Sequence, residues 1–505
     1  MGASLFSALP LLAVGVSLAA VPLILLSRDR PNLREFWTLA AAFLKALIVL
    51  ALLPEVLAGR TVECRLLEVS PDIALHLKAD AVGMVFALVS SSLWILTSFY
   101  SIGYVRGAGE KRQTRYFASF AVCLSATLGI AFSANLLTFL IFYEILSIAT
   151  YPLVIHKETA EALRSGRQYL VYALSAGVVL IAAVAWTYSL AGDLDFRPGG
   201  LLAAKALDPA NVRTLFVLFI AGVGVKAGIM PLQSWLPAAM VAPTPVSALL
   251  HAVAVVKSGV FGVIRVVGFV FGPELMKTHG LDGILAAFAG ATIVFASLIA
   301  LRQDNLKIRL AYSTIGHLSY IVLGMALLAP EGFAGGLLHL AAHATTKIAL
   351  FFCAGAIYVN LHKTEVSQLN GIGRVMPWTM SAFAVGAMGL SGLPPVNAFF
   401  SKYVLCLGTV EGGRFLALAV LLLSGLLNAA YLLPIVHRAF FREGGKELEG
   451  HGEASAWMVV PLCLAAALSL LLGLQPNGLV RLFDLAVLGT RAVFPAAALY
   501  AGGGP

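Results

Sequence analysis

Charge is scarce in this sequence: only 12% of its 505 residues are Asp, Glu, Lys or Arg. A soluble domain carries about a quarter, so a water-exposed globular surface over this length is excluded. Cysteine is scarce as well, and Cys64, Cys123, Cys353, Cys406 and Cys463 stand singly, with no C-x-x-C pair. That spacing argues against an iron–sulfur cluster, a zinc knuckle or a redox disulfide and leaves the thiols as packing groups. No H-E-x-x-H pattern occurs, and bis-histidine haem would need ligands on facing helices that form no obvious set here, so no metal and no cofactor is expected. No basic residue precedes the first apolar run, whereas Arg28, Arg30 and Arg34 follow it; the run reads as a retained span rather than a cleaved leader.

What the chain has in abundance is apolar length. It is 60% hydrophobic with a mean hydropathy of +0.91, and runs of about 20 apolar residues recur from end to end. This pattern predicts an all-α polytopic membrane protein of about fourteen transmembrane helices. The spans are expected at 5–26, 36–56, 80–104, 115–132, 135–155, 166–190, 212–239, 245–271, 281–300, 308–328, 334–359, 377–408, 415–440 and 456–475. The seventh and twelfth are expected to be broken, at Gly228 and Pro231 and at Pro394 and Pro395. The stretch 479–501 holds Arg481, Asp484, Arg491 and Pro495 and reads as an interfacial tail, with a fifteenth span as the alternative.

The formal charge of +9 would in a soluble protein hint at nucleic acid, but here the basic residues collect in short loops. Alternate loops are rich in them, as in Arg106, Lys111, Arg112 and Arg115, or Arg302, Lys307 and Arg309. Positive-inside bias then puts those loops in the cytoplasm and both termini outside a cell membrane, with no nucleic-acid partner.

Laid side by side, the fourth to eighth and the ninth to thirteenth spans each comprise five helices with one broken member in the corresponding place. Five is odd, so the copies are inverted, as in transporters whose sites lie at such breaks. The expected units are 1–110, 111–272, 280–442 and 450–505.

Titratable residues inside these spans are costly and point to function. Glu144 sits mid-way along the fifth span, where only a cation about 4–6 Å away, Lys226 being the candidate, would keep it ionised. His251 and Lys257 are six residues apart, about 120° around an ideal helix, so a bulge between Ser247 and Val256 is needed to aim both at one path. His339, His343 and Lys347 lie at i, i+4 and i+8, a ladder along the membrane normal. Lys402 follows the second break, and His317 reads equally as path or as packing.

The runs NLLTFLIFYEILSIATYPLV, GVKAGIMPLQSWLPAAMVAPTPVSALLHAVAVVKSG, HLAAHATTKIALFF and GLPPVNAFFSKY resemble the antiporter-like subunits shared by respiratory complex I, Mrp-type cation/proton antiporters and energy-converting membrane hydrogenases. The similarity extends from about Asp80 to Arg438, and within the family the chain is most similar to the D-type subunit of the Mrp antiporters. The resemblance implies proton transfer along a central polar axis. It assigns Glu144 and Lys226 to the carboxylate–lysine pair, Lys257 to the connecting lysine, His343 and Lys347 to the central link and Lys402 to the terminal lysine. One complex I paralogue carries glutamate at the position of Lys402, and the longest paralogues continue into a lateral helix; both departures favour a D-type or hydrogenase-type subunit. The expected partners are other membrane subunits, H+ and possibly Na+. A self-sufficient transporter of an organic solute is the competing class, disfavoured because the buried polar groups form a string rather than one pocket.

Overall fold

The computed structural model describes residues 4–70 and 73–495, and nearly every apolar run is a helix. In chain order these are α1 (Leu9–Leu26), α2 (Pro31–Leu57), α3 (Ala81–Gly107), α4 (Gln113–Ala131), α5 (Leu136–Val154), α6 (Ala160–Ala191) and α7 (Pro209–Ala227). Then follow α8 (Trp235–Ala238), α9 (Thr244–Ala248), α10 (Val255–Arg265), α11 (Pro273–Thr278), α12 (Leu281–Arg302), α13 (Leu306–Ala326) and α14 (Pro330–Leu361). The last are α15 (Ile372–Val375), α16 (Pro377–Ser391), α17 (Asn397–Glu411), α18 (Phe415–Phe441), α19 (Ala456–Leu474) and α20 (Leu482–Val493). Among the described residues twelve helical spans are long and apolar enough to cross a membrane. The tenth and twelfth expected spans are occupied by α13 and by the α16–α17 pair. The chain is a multi-pass integral membrane protein.

Local chemistry sets the helix ends. Asp80, Asn135, Thr159 and Asn305 each accept a hydrogen bond from the backbone N–H three residues on, satisfying one of the free donors of a first turn. The Thr159 cap carries α6 more than a turn beyond its apolar run, to Ala160 against the expected 166; α14 has no side-chain cap and begins on Pro330 itself, against the expected 334.

Both breaks fall where expected. α7 stops at Ala227 because Gly228 takes a left-handed φ of +69°, a conformation that glycine adopts without strain. Trp235 then donates its indole N–H to the freed Val225 carbonyl at 2.8 Å. Gly392, φ +86°, ends α16 in the same way. The eighth span is also irregular, with π-helical turns at Leu249–Val253 and Val266–Phe271, the first within the segment where a bulge was required.

A small sheet has no counterpart among the expected elements. Thr61–Ser70 (β2) and Ile73–Ala79 (β3) pair antiparallel, and Ser4–Phe6 (β1) adds in parallel to β2, where the sequence pattern suggests only loop. Isolated bridges Leu77↔Ser133 and Asn135↔Asp195 tie this sheet to the loops before α5 and after α6, while Asn305↔Glu365 joins the loops before α13 and after α14. The expected tail holds a helix of its own. Instead of a span, α20 is a 12-residue helix, about 18 Å long against a hydrocarbon core of about 30 Å, with Gly489 packed against Val82 and Leu337; residues 496–501 of that expected stretch lie outside the described residues.

Burial points to the functional part of the molecule. The most apolar stretches of the spans Thr244–Phe271 and Pro330–Leu361 are wholly enclosed, whereas α1, α2, α6, α12, α18 and α19 leave more than half of theirs outward.

Candidate functional site

The two enclosed spans carry five of the eight residues singled out from sequence, and two of the five meet. Lys257 Nζ lies 2.8 Å from His343 Nδ1, joining α10 to α14. Gly259 makes the neighbouring approach possible: a Cβ there would stand 2.1 Å from the Ala227 nitrogen, so only glycine lets α10 press onto the end of α7 beside Lys226. The π turn shifts the register upstream, and His251 turns its ring onto Phe351 at 5.1 Å. Phe351 follows Lys347 by one helical turn, so α14 presents His339, His343, Lys347 and Phe351 in register. Among the described residues Lys347 Nζ, His343 Nε2 and both ring nitrogens of His251 have no hydrogen-bond partner. An unpaired buried polar group costs about 1–3 kcal/mol, and such groups persist where function needs them free.

Beyond His343 the polar groups form a directed chain. Asn428 Nδ2 donates to the Leu390 carbonyl at 3.1 Å and approaches His317 Nε2 at 3.2 Å, while its Oδ1 accepts from Tyr431. An amide nitrogen only donates, so His317 Nε2 accepts and a neutral His317 carries its proton on Nδ1. That N–H faces His339 Nε2 at 3.1 Å, which in turn places the His339 proton on Nδ1, 2.9 Å from Ser401 Oγ. Ser401 passes the direction on to the Ala398 carbonyl at 3.1 Å. This tautomer assignment follows from the hydrogen-bond pattern. Tyr320 packs against both His317 and His339, at 5.1 and 5.2 Å, and its ring also receives Lys402 Nζ at 5.2 Å. Lys402 itself donates to the Leu390 carbonyl, the oxygen released at the end of α16, and so shares an acceptor with Asn428.

At the opposite end Glu144 and Lys226 act on each other through their charges rather than by a direct ion pair. Lys226 Nζ donates to the Tyr143 carbonyl at 2.6 Å and sits 3.3 Å from the centre of the Tyr143 ring, and no ion pair within 4.0 Å joins it to Glu144 among the described residues. The Glu144 carboxylate lies instead against α6, where a Cβ on Gly177 would come within 2.6 Å of Oε1; Oε1 is buried and unpaired. Lys226, on α7, thus sits against the turn of α5 that carries Glu144, and the two groups feel each other's charge.

Several participants carry no clear mark in the sequence. His317, which reads there as either path or packing, is in hydrogen-bond contact with both His339 and Asn428. Tyr320, Ser401 and Asn428 are polar groups on α13, α17 and α18 whose partners lie on other helices, so spacing along one helix gave no signal. Lys45 did have a signal, a lysine in mid-run. It is fully buried, donates to Ser17 Oγ at 2.6 Å and to the Leu124 carbonyl at 2.9 Å, and lies over Trp94, away from the other lysines. Arg265 is a further unexpected member; it clamps Asp80 with two hydrogen bonds of 2.7 and 2.9 Å. Burial alone would raise the Asp80 carboxyl, but Arg265 and the Gly83 N–H hold it below its ordinary range. On the other side of the molecule a cavity of about 550 Å³ opens among Lys157, Glu161, Lys307, Tyr104 and Thr244, and Lys307 donates to the Met240 and Ala242 carbonyls at 2.6 Å each.

Comparison with known proteins places this arrangement. Residues 133–427 match the profile described as "NADH:quinone oxidoreductase/Mrp antiporter, TM". The N-type subunit of the NADH-quinone oxidoreductase of Desulforudis audaxviator is 32% identical over 365 residues, covering 70% of this chain and 72% of that protein. The D-type subunit of the Na(+)/H(+) antiporter of Alkalihalophilus pseudofirmus is 28% identical, covering 79% and 80%. Among solved structures, a chain of the membrane-bound sulfane sulfur reductase, an archaeal respiratory membrane complex, superposes with a TM-score of 0.87 at 25% identity, covering 96% of this chain and 98% of that one. A chain of the Mrp complex from a Dietzia species shares the fold, with a TM-score of 0.86 at 20% identity and 97% and 98% coverage. With the family profile spanning more than half its length and enclosing both helix breaks and every residue from Glu144 to Lys402 of the candidate path, the chain belongs to the NADH:quinone oxidoreductase/Mrp antiporter transmembrane family.

Proposed function

We propose that the chain is the proton-translocating, antiporter-like subunit of a multi-subunit membrane complex. Protons would pass along Glu144, Lys226, Lys257, His343, Lys347, His339 and Lys402, with His251 as a side entrance, and with His317, Asn428 and Ser401 as added members. The observation that carries this reading is the Lys257–His343 contact, because it bridges the stretch following the first helix break to the histidine chain that ends at the second. An ammonium donating to an imidazole, or an amine accepting from one, can exchange a proton by a shift of about 1 Å within an existing hydrogen bond. The His317–His339–Ser401 chain then extends the transfer toward Lys402 without a charge having to cross open hydrocarbon.

The repeats at 111–272 and 280–442, fourteen crossings, both termini extracytoplasmic and a cell-membrane location complete the proposal. A reporter after Pro505 should read as extracytoplasmic, and one in the Arg106–Arg115 loop as cytoplasmic. Similarity to a Na(+)/H(+) antiporter subunit supports monovalent cation/proton exchange. The second reading, a pumping subunit of a redox complex, draws its support from the 32% identity to an NADH-quinone oxidoreductase subunit and the 0.87 superposition on a respiratory complex. Identifying the subunits that copurify separates the two.

The decisive test compares Lys257→Met and His343→Leu in vesicles holding equal amounts of assembled complex. Ion-coupled proton movement should fall to a few per cent of wild type in both. Normal transport by either variant would refute a path through this contact.

A further inference from the structure

A groove of about 770 Å³ runs between α1, α4 and α5 on the outer wall of the bundle, remote from the histidine chain. Its floor is apolar, built from Val21 and Leu25 of α1, Val122 of α4 and Ala149 of α5. Its mouth is cationic: Arg28, Arg112 and Arg115 line the end at which α1 finishes and α4 begins. From Arg115 to Val122 the groove follows α4 for seven residues, about 10 Å, which carries it from the interface into hydrocarbon.

We propose that this groove holds an anionic phospholipid, its phosphate on the three guanidiniums and an acyl chain along Val122 and Ala149. Basic pockets between transmembrane helices at an interface select such headgroups, and guanidinium matches phosphate in a bidentate fork. The existing partners leave room for an anion. Arg112 and Arg115 share a single carboxylate oxygen of Glu158, and Arg115 also donates to the His156 carbonyl at 3.2 Å; among the described residues Arg28 pairs only with Asp29 at 3.2 Å, both side chains at least 75% exposed, a contact of the weak, exchangeable kind. Arg115 Nε is buried with no acceptor among the described residues. A free phosphate would satisfy the mouth and leave the floor bare, and an apolar partner helix would satisfy the floor and leave three guanidiniums at its end; a phospholipid satisfies both. Exposed Leu18, Leu25 and Ile148 beside the groove place it on a lipid-facing wall.

The test uses the assembled complex, delipidated and exchanged into vesicles of phosphatidylglycerol or phosphatidylcholine, with retained lipid counted by native mass spectrometry. Phosphatidylglycerol should be retained about tenfold more than phosphatidylcholine, and both the R28Q/R112Q double variant and V122W, which keeps the charges and fills the floor, should remove that preference. In unaltered complex, phosphatidylglycerol with a photoreactive acyl chain should label peptides from α4 and α5 around Val122 and Ala149, a readout independent of any variant's folding. Equal retention of the two lipids, label confined to other helices, or crosslinking of Val122→Cys to another subunit would each overturn the proposal.

Discussion

Asn428→Asp tests the directed chain at its most sensitive point. Asn428 and Lys402 donate to the same Leu390 oxygen, so a carboxylate in place of the amide would stand roughly 5 Å from the lysine ammonium and attract it by about 3 kcal/mol at an effective dielectric constant of about 20. That is about a hundredfold or more in proton affinity. The new anion favours the charged lysine, so the proton leaves Lys402 only at higher pH. The same change reverses the chain: Asp accepts from His317 Nε2, His317 Nδ1 then accepts from His339, and His339 accepts from Ser401. Ion-coupled proton movement, measured in vesicles with equal amounts of assembled complex, should drop about a hundredfold at neutral pH and recover as the assay is moved about two pH units alkaline. Asn428→Leu, which breaks the chain without adding charge, should be slow at every pH. An Asn428→Asp variant with wild-type rate and pH profile would mean that Lys402 does not release a proton during turnover.

Three further outcomes follow from particular contacts. In Gly177→Ala the new methyl displaces the Glu144 carboxylate, 2.6 Å away, by about 1 Å; transport should fall severalfold with assembly intact, whereas Gly259→Ala, facing backbone at 2.1 Å, should cost about 1–3 kcal/mol or more and reduce the assembled complex recovered on purification. Lys45→Met should keep transport within twofold of wild type and leave the thermal unfolding midpoint unlowered, because it removes a buried cation that has no carboxylate partner among the described residues; loss of transport would put Lys45 on the path. His156, its side chain 1% exposed, is pushed down to about 4 by burial and by Arg115, so the unfolded chain takes up a proton there first as pH falls. The stability it contributes is complete above about pH 6.5 and is lost toward pH 4, by up to about 3 kcal/mol; unfolding midpoints between pH 7 and 5 should fall in wild type and flatten in His156→Gln.

The spans and both breaks were legible because a membrane imposes a single strong rule on apolar length and because glycine and proline mark where a ladder opens. The sheet was not, since TVECRLLEVS and IALHLKA mix charge and apolar residues without clean alternation, and strand pairing to Ser4–Phe6 is a long-range fact. The ladder His339–His343–Lys347 was readable from one helix. The partners that give it direction, His317 and Asn428, come from α13 and α18, and hydrogen bonds between helices leave no period in a sequence. Glu144 and Lys226 act on each other through their charges, yet the lysine donates to the Tyr143 carbonyl, one residue away; single-residue register between helices is decided by packing, here by the space that Gly177 leaves for the carboxylate against α6. Lys45 lies far from either helix break and so stood apart from the candidate path, although its place in an apolar run carried the same signal as Lys226.

The pairing of Ser4–Phe6 with Thr61–Glu63 bears on how the chain enters its membrane. One strand precedes α1 and the other follows α2, so the clasp can shut only after α1 has crossed and α2 has returned to the same face. Three residues of parallel ladder are too few to hold on their own; they close on a hairpin that the bilayer has already formed. The clasp therefore acts as a checkpoint on insertion: a chain that crossed once, or three times, by residue 61 would leave the two strands on opposite sides of the membrane, with the β2 edge that pairs with Ser4–Phe6 left open.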